Sequence, residues 1–200
     1  MSIAAAAPRD YLLRPWTGTW ARDAALVSGA VVLTALLAQV SLPVPGSPVP
    51  VTGQTLAVLL VGTTMGLRRG VVAMGAYLLL GAVGMPVFAD GGSGAVALIG
   101  PTGGYLAGFL LAAAVMGRLA ERGWDRSPLR MLGLGLLGQA TVFAVGVPWL
   151  ALSAGLGPAE AIAAGFTPFI VGGLIKGALA GMLLPSAWRL VRRETHVPNP

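Results

Sequence analysis

Long apolar stretches run through most of this sequence and constrain its fold more than any other feature. They cover residues 24–42, 54–67, 70–83, 102–119, 131–152 and 166–190. About 20 mostly apolar residues are enough for a helix to cross a membrane. Charged residues make up 10% of the chain and the mean hydropathy is +0.80, whereas soluble chains carry about 25% charged residues. The sequence therefore predicts an all-α integral membrane protein, a bundle of six transmembrane helices.

The second and third apolar runs are shorter than a full span and are separated by Arg68 and Arg69. We expect tilted helices here, or helices that begin from a loop within the protein, where irregular backbone is tolerated. Residues 85–101 are predicted to form a glycine-rich loop. Residues 155–164 are predicted to hold a short surface helix that begins at Pro158, and Pro148 is expected to kink or end the fifth helix.

Twelve of the thirteen basic residues lie at the ends of apolar runs and predict the orientation in the membrane. With six helices all twelve fall on one side, whereas five or seven helices would scatter them. Basic residues favour the cytoplasmic side, so both termini are predicted to lie in the cytoplasm. They would bound one transmembrane domain over 1–200, with cytoplasmic segments 1–22 and 194–200. The twelve are Arg9, Arg14, Arg22, Arg68, Arg69, Arg118, Arg122, Arg126, Arg130, Arg189, Arg192 and Arg193.

Several functional classes are disfavoured by what the sequence lacks. It has no cysteine and one histidine, His196, in the polar tail, so no metal site is predicted. It contains no GxxxxGK[ST], GxSxG or HExxH motif, so neither catalysis nor a cofactor is expected, and any ATP must be used by another polypeptide. The net charge of +6 is accounted for by the arginines that orient the helices, and no nucleic-acid partner is predicted.

The remaining basic residue, Lys176, lies well inside the sixth apolar run. A lysine at the bilayer centre costs about 2.5–3.5 kcal/mol on insertion scales, and such residues usually face a cavity and serve a function. The alternative is a lysine whose stem reaches along the helix to the surface, but its depth argues against that. No acidic partner is evident in another helix, so we expect an anionic or strongly polar ligand to complete its environment.

Two further motifs, whose sequence signals are weaker, contain candidate ligand-binding residues. Thr52 and Gln54 lie at the mouth of the second helix, where they could line a pocket, although a proline turn with a threonine cap explains the same residues. Tyr105 follows two glycines at the start of the fourth helix and could present its ring and hydroxyl to a ligand. Tyrosine is also common at membrane interfaces without any ligand.

The first helix carries small residues at four-residue spacing, a pattern that lets membrane helices approach closely. The two stripes serve either internal packing or a partner subunit. One consists of Ala21, Ala25 and Gly29, and the other of Ala30, Thr34 and Ala38.

Four stretches, in order, resemble the BioY family, the biotin-binding S component of energy-coupling factor (ECF) transporters. They are residues 48–56 (PVPVTGQTL), 75–89 (GAYLLLGAVGMPVFA), 100–109 (GPTGGYLAGF) and 172–176 (GGLIK). The resemblance implies a six-helix bundle with a biotin pocket near its outer face. It also implies uptake driven by two cytoplasmic ATPase subunits through a transmembrane coupling protein, which we expect to dock on the stripe formed by Ala21, Ala25 and Gly29.

Carried over by position, Lys176 resembles the ligand-contacting lysine of the family's last helix. Thr52, Gln54, Tyr105 and the 84–90 stretch, with Phe88 and Asp90, resemble pocket or lid positions. The family commonly reads Gly-Asp-x-x-Lys at its last motif, and here Gly173 stands at the aspartate position. Asp90 or Gln54 is expected to supply an acceptor in its place, or the lysine faces the ligand directly.

Three other functions are compatible with the same residues. The chain could be a stand-alone or ion-coupled carrier of biotin or another small vitamin, with Lys176 as its titrating group, although it has no clear internal repeat of the kind common in such carriers. It could be an intramembrane enzyme using that lysine, or an S component for a different vitamin.

Overall fold

The computed structural model describes residues 12–13 and 18–194, and of residues 187–194 it describes the backbone alone. Arg9, Arg14 and His196 therefore lie outside the described residues, as do most of the predicted cytoplasmic segments 1–22 and 194–200. The side chains of Arg189, Arg192 and Arg193 lie outside them too. The sequence-based expectations for these residues remain predictions.

The described chain is mostly helical. Five of its helices are long and apolar enough to cross a membrane: α1, α2, α4, α5 and, in α7, residues 169–186. Two short strands, β1 (Ser41–Leu42) and β2 (Val51–Thr52), pair antiparallel beyond α1. The helices are α1 (Trp20–Ala38), α2 (Gln54–Ala82), α3 (Gly94–Ile99), α4 (Gly103–Ala120), α5 (Pro128–Ala154), α6 (Pro158–Gly165) and α7 (Phe169–Glu194).

Helix α2 is a helical hairpin, because its backbone reverses at Gly66. This residue has φ 73° and ψ −178°, a combination essentially restricted to glycine. Gln54 and Tyr77 are 23 positions apart, yet the Gln54 Nε2 donates to the Tyr77 hydroxyl at 2.7 Å; in a straight helix they would be about 34 Å apart. The second and third apolar runs are thus the two antiparallel arms of one hairpin, 54–65 and 67–82.

Local sequence explains where several helices begin and end. The Thr19 side chain accepts from the Arg22 backbone N–H at 3.4 Å at the start of α1, and Ser127 caps α5 in the same way. Gly155, with φ 65°, ends α5 in the left-handed conformation. Pro148 does not end α5, which continues to Ala154; proline is tolerated within membrane helices. The short helix predicted at Pro158 is present as α6.

Close packing of glycines joins the hairpin to α4. A Cβ on Gly117 would lie 2.6 Å from the backbone of Gly66 and Leu67, and one on Gly62 would lie 3.1 Å from the Ala113 Cα. At this helix separation a Cβ at position 117 would overlap the backbone of the hairpin, and one at position 62 would force a small shift of α4. Most of the large buried apolar residues of the helices belong to one hydrophobic cluster.

The two small-residue stripes of α1 differ in exposure. Ala30, Thr34 and Ala38 are buried against the bundle. This stripe therefore serves internal packing, which is one of the two roles considered for it. Ala21, Ala25 and Gly29 are exposed, and a Cβ on Gly29 would meet nothing within 4 Å.

Charged residues of three segments meet at the end of the bundle where the hairpin turns. Arg69 and Asp23 form an ion pair with a nitrogen–oxygen distance of 3.0 Å, which joins the hairpin turn to the start of α1. The Glu121 carboxylate accepts from the Leu67 backbone N–H at 3.0 Å and lies 3.7 Å from the Arg118 guanidinium. The loops 39–53 and 83–102 lie at the opposite end, where the candidate site is found.

Candidate ligand-binding site

A cavity of about 310 Å³ opens at the end of the bundle opposite the arginines. This volume is at the lower end of the range typical of small-molecule sites. Apolar and aromatic side chains form most of its wall, with a few polar groups among them. The cavity is lined by Pro48, Val49, Pro50, Thr52, Gln54, Thr55, Phe88, Ala89, Asp90, Gly92, Ala97, Thr102, Tyr105, Leu106, Phe109, Gln139, Val142, Phe143, Phe169 and Lys176.

Lys176 reaches into this cavity from α7 and is anchored by neutral oxygens. Its Nζ donates to the Thr52 backbone carbonyl at 2.6 Å and to the Thr55 hydroxyl at 2.8 Å. Within the described residues no carboxylate forms an ion pair with it. An ammonium group has three donors, so one remains for a ligand. Thr55 belongs to the same motif as Thr52, and its hydroxyl lies at the mouth of the second helix as the sequence predicts.

Gln54 is held in a chain of hydrogen bonds behind the cavity wall. Its Oε1 accepts from the Thr52 hydroxyl at 2.9 Å and its Nε2 donates to the Tyr77 hydroxyl at 2.7 Å. Tyr77 in turn donates to the Val87 carbonyl at 2.9 Å. The chain ties the strand β2, both arms of the hairpin and the 83–93 loop together, so Gln54 positions the wall as well as lining it.

Aromatic rings form one side of the cavity. The Tyr105 ring stacks on Phe169 with centroids 6.2 Å apart and meets Phe143 edge-on. The Tyr105 hydroxyl donates to the Gly165 carbonyl at 2.9 Å. Since its proton is used there, Tyr105 offers the ligand its ring, and its hydroxyl joins α4 to the end of α6.

The predicted lid residues Phe88 and Asp90 lie in a loop that is clamped to α1. Gln39 donates from Nε2 to the Phe88 carbonyl and accepts at Oε1 from the Gly91 N–H, both at 3.1 Å. Asp90 is exposed, adopts φ 55° and accepts from the Ser41 hydroxyl at 3.2 Å. Asp90 thus lies at the rim of the cavity beside β1. Gln39 was not recognised from the sequence.

Gly173 does not line the cavity, in contrast to the other predicted site residues. Gln139 from α5 occupies the adjacent space, and its Nε2 donates to the Gly173 carbonyl at 2.8 Å. Gln139 was missed by the sequence reasoning. A glutamine inside an apolar run is costly unless it is hydrogen-bonded, and that signal could have identified it.

A membrane-type helical bundle with a lysine-containing cavity at one end is the architecture of a ligand-binding membrane protein. The sequence matches the BioY family over residues 8–193. The chain therefore belongs to the BioY family.

Relatives and solved structures agree with this placement. A protein from Rhizobium etli named "Biotin transporter BioY" is 36% identical over 166 residues, covering 80% of this chain and 87% of the relative. One of the same name from Thermotoga maritima is 37% identical over 169 residues, covering 84% and 96%. The fold matches the crystal structure of an S-component for biotin from an ECF-type ABC transporter, with a TM-score of 0.77 over 86% of this chain and 95% of that one, at 23% identity.

Proposed function

We propose that this protein binds biotin at the outer face of the membrane and takes it up as the S component of an ECF-type transporter. The observation that carries the proposal is the cavity in which Lys176 is held by Thr52 and Thr55. Family membership and the printed names of the relatives support biotin as the ligand.

The chemistry of the cavity suits biotin. Biotin has a neutral ureido ring with donors and an acceptor, and a carboxylate tail. The free donor of Lys176 can meet either the ureido oxygen or the carboxylate, and the rings of Tyr105, Phe143 and Phe169 provide an apolar surface for the rest of the molecule. A few placed polar groups in a mostly apolar pocket are sufficient to orient such a ligand.

The proposed topology has six membrane crossings with both termini in the cytoplasm of a bacterial cell. The reversal at Gly66 supports this count. Each arm of α2 then crosses the membrane separately, so the five long helices make six crossings. The ion pair between Asp23 and Arg69 supports placing the N-terminus and the hairpin turn on one side. Basic connections favour the cytoplasmic side.

The proposed partners are a transmembrane coupling subunit and two cytoplasmic ATPase subunits. The exposed stripe of Ala21, Ala25 and Gly29 offers the coupling subunit a surface that allows close helix approach. ATP would be used by the ATPase subunits alone. Uptake of labelled biotin into vesicles that needs neither ATP nor these subunits would favour the stand-alone carrier instead.

Calorimetry of biotin binding to the purified protein in detergent tests the ligand and the lysine together. We expect tight binding to the unchanged protein and a loss well over tenfold for Lys176→Met, which keeps most of the side-chain volume but removes the donors. Leu174→Ala is the matched control, because Leu174 lies on the same helix and is 49% exposed to the surroundings. Absence of biotin binding by folded, unchanged protein would refute the proposed ligand.

A further inference from the structure

Gln139 crosses from α5 to α7 with a fixed orientation of its carboxamide. The Gly173 carbonyl, which its nitrogen contacts at 2.8 Å, can only accept a hydrogen bond. The nitrogen of Gln139 must therefore face Gly173, and the oxygen must point away from that carbonyl. This hydrogen bond thus assigns which end of the amide is the nitrogen and which is the oxygen.

The Oε1 of Gln139 occupies the place where a side chain at position 173 would project. A Cβ added to Gly173 would overlap this oxygen and lie 2.9 Å from the Gln139 Cδ. Positions 173 and 176 are one turn apart on α7 and share a face. Gln139 therefore brings an amide oxygen from another helix to the face of α7 that carries Lys176.

The two glutamines of the cavity differ in whether their carboxamide groups keep an atom free to bind a ligand. Gln54 is 5% exposed, and both ends of its carboxamide are engaged by Thr52 and Tyr77. Gln139 is less buried and lines the cavity. Its Oε1 accepts no hydrogen bond from the groups that the structure describes, which are the side chains up to residue 186 and the backbone up to residue 194. A carbonyl oxygen left without a partner in a ligand cavity is suited to receive an N–H donor.

We propose that Gln139 contacts the ligand directly, accepting a hydrogen bond from an N–H group, and that Gly173 keeps open the space this contact requires. Gln139 offers an acceptor and Lys176, nearby, offers a donor. Together these two residues select a ligand that presents N–H groups beside a carbonyl, as a ureido ring does. This assignment rests on the proposed function for the identity of the ligand. It makes Gln139 a specificity-determining residue of the site.

A ligand series separates this contact from a merely structural role of Gln139. Gln139→Ala is expected to weaken biotin binding about tenfold, since a buried ligand N–H is left without a partner. Biotin methylated at the ureido nitrogen that meets Gln139 has no proton to donate there, so the substitution should change its affinity far less. Both singly methylated biotins are measured. Leu137→Ala, a truncation at the 43%-exposed neighbour on α5, should change neither affinity.

Gly173→Ala provides a second test that does not depend on the analogues. The added Cβ meets the flexible end of Gln139, so the carboxamide is displaced while the helices keep their positions. We expect a loss of biotin affinity similar to that of Gln139→Ala, and a double variant no weaker than either single one, because both changes remove one contact.

The outcomes distinguish this inference from the proposed function. Biotin binding that is unchanged in Gln139→Ala, or weakened equally for biotin and both methylated forms, would overturn the role of Gln139 while leaving biotin as the ligand. Fully additive losses in the double variant would overturn the pairing with Gly173. No binding by the unchanged protein would refute the ligand itself.

Discussion

The hairpin turn at Gly66 predicts how the protein responds when a single methyl group is added at this position. Its φ of 73° and ψ of −178° lie in a region that an L side chain hardly enters. Gly66→Ala must therefore either hold this strained conformation or move the turn. The reversal is also backed closely by α4, since a Cβ on Gly117 would lie 2.6 Å from the Gly66 carbonyl carbon.

The strain of a residue in such a region is about 1–3 kcal/mol. A protein of 150–250 residues loses roughly 2–4 °C in Tm for each kcal/mol, so Gly66→Ala should lower Tm by about 2–12 °C. Biotin affinity should fall as well, because the reversal places Tyr77 against Gln54 and so shapes the cavity wall.

Thermal unfolding of the ligand-free protein in detergent measures this effect, with Gly133→Ala as the control. A Cβ on Gly133 would meet nothing within 4 Å, and alanine is favoured over glycine inside a helix by about 1 kcal/mol. Gly66→Ala should therefore lower Tm and Gly133→Ala should raise it, although both replace a glycine by alanine. A higher Tm for Gly66→Ala, as in an ordinary helical position, would refute the reversal of the chain at Gly66.

Three further substitutions probe hydrogen bonds and charge. Tyr77→Phe removes the hydroxyl that links Gln54 to the 83–93 loop, and unfolding should show a loss of about 1–3 kcal/mol because both partners are left unpaired; an unchanged Tm would contradict the chain of bonds. Tyr105→Phe should lower Tm but leave biotin affinity within about twofold, since the ring is retained and calorimetry reports the ligand contact. Asp23→Asn, which breaks the partly exposed pair with Arg69, should cost less than about 1 kcal/mol, and a larger loss of Tm would show that this pair is shielded from solvent.

The apolar runs and the arginines were sufficient to predict an all-α membrane protein and the positions of its long helices. The two short runs were predicted as separate helices, yet the turn between them is set by one glycine whose conformation no local pattern identified. The glycine-rich segment 85–101 was predicted as a loop, but it contains the short helix α3. Six-residue helices leave too little periodicity in a sequence rich in alanine and glycine to be recognised.

Most predicted site residues lie around one cavity, and the exceptions are informative. Lys176 was identifiable because a charge within an apolar run is costly. At Gly173 the sequence reasoning expected Asp90 or Gln54 to supply an acceptor, or the lysine to face the ligand directly. It did not identify Gln139, which fills the adjoining space. That contact joins two residues that are 34 positions apart in the sequence and lie on different helices, and only the packing of α5 and α7 brings them together. Sequence spacing constrains neighbours on one helix but not contacts between helices.

The shortest hydrogen bond of Lys176 has a consequence for genetic analysis of the site. Its 2.6 Å partner is the main-chain carbonyl of Thr52, an atom that every amino acid carries. Replacing Thr52 by alanine removes its hydroxyl but leaves this acceptor in place. A scan of single substitutions would therefore understate the importance of position 52, and only a change that displaces the short strand itself, such as a deletion in 41–52, would expose it.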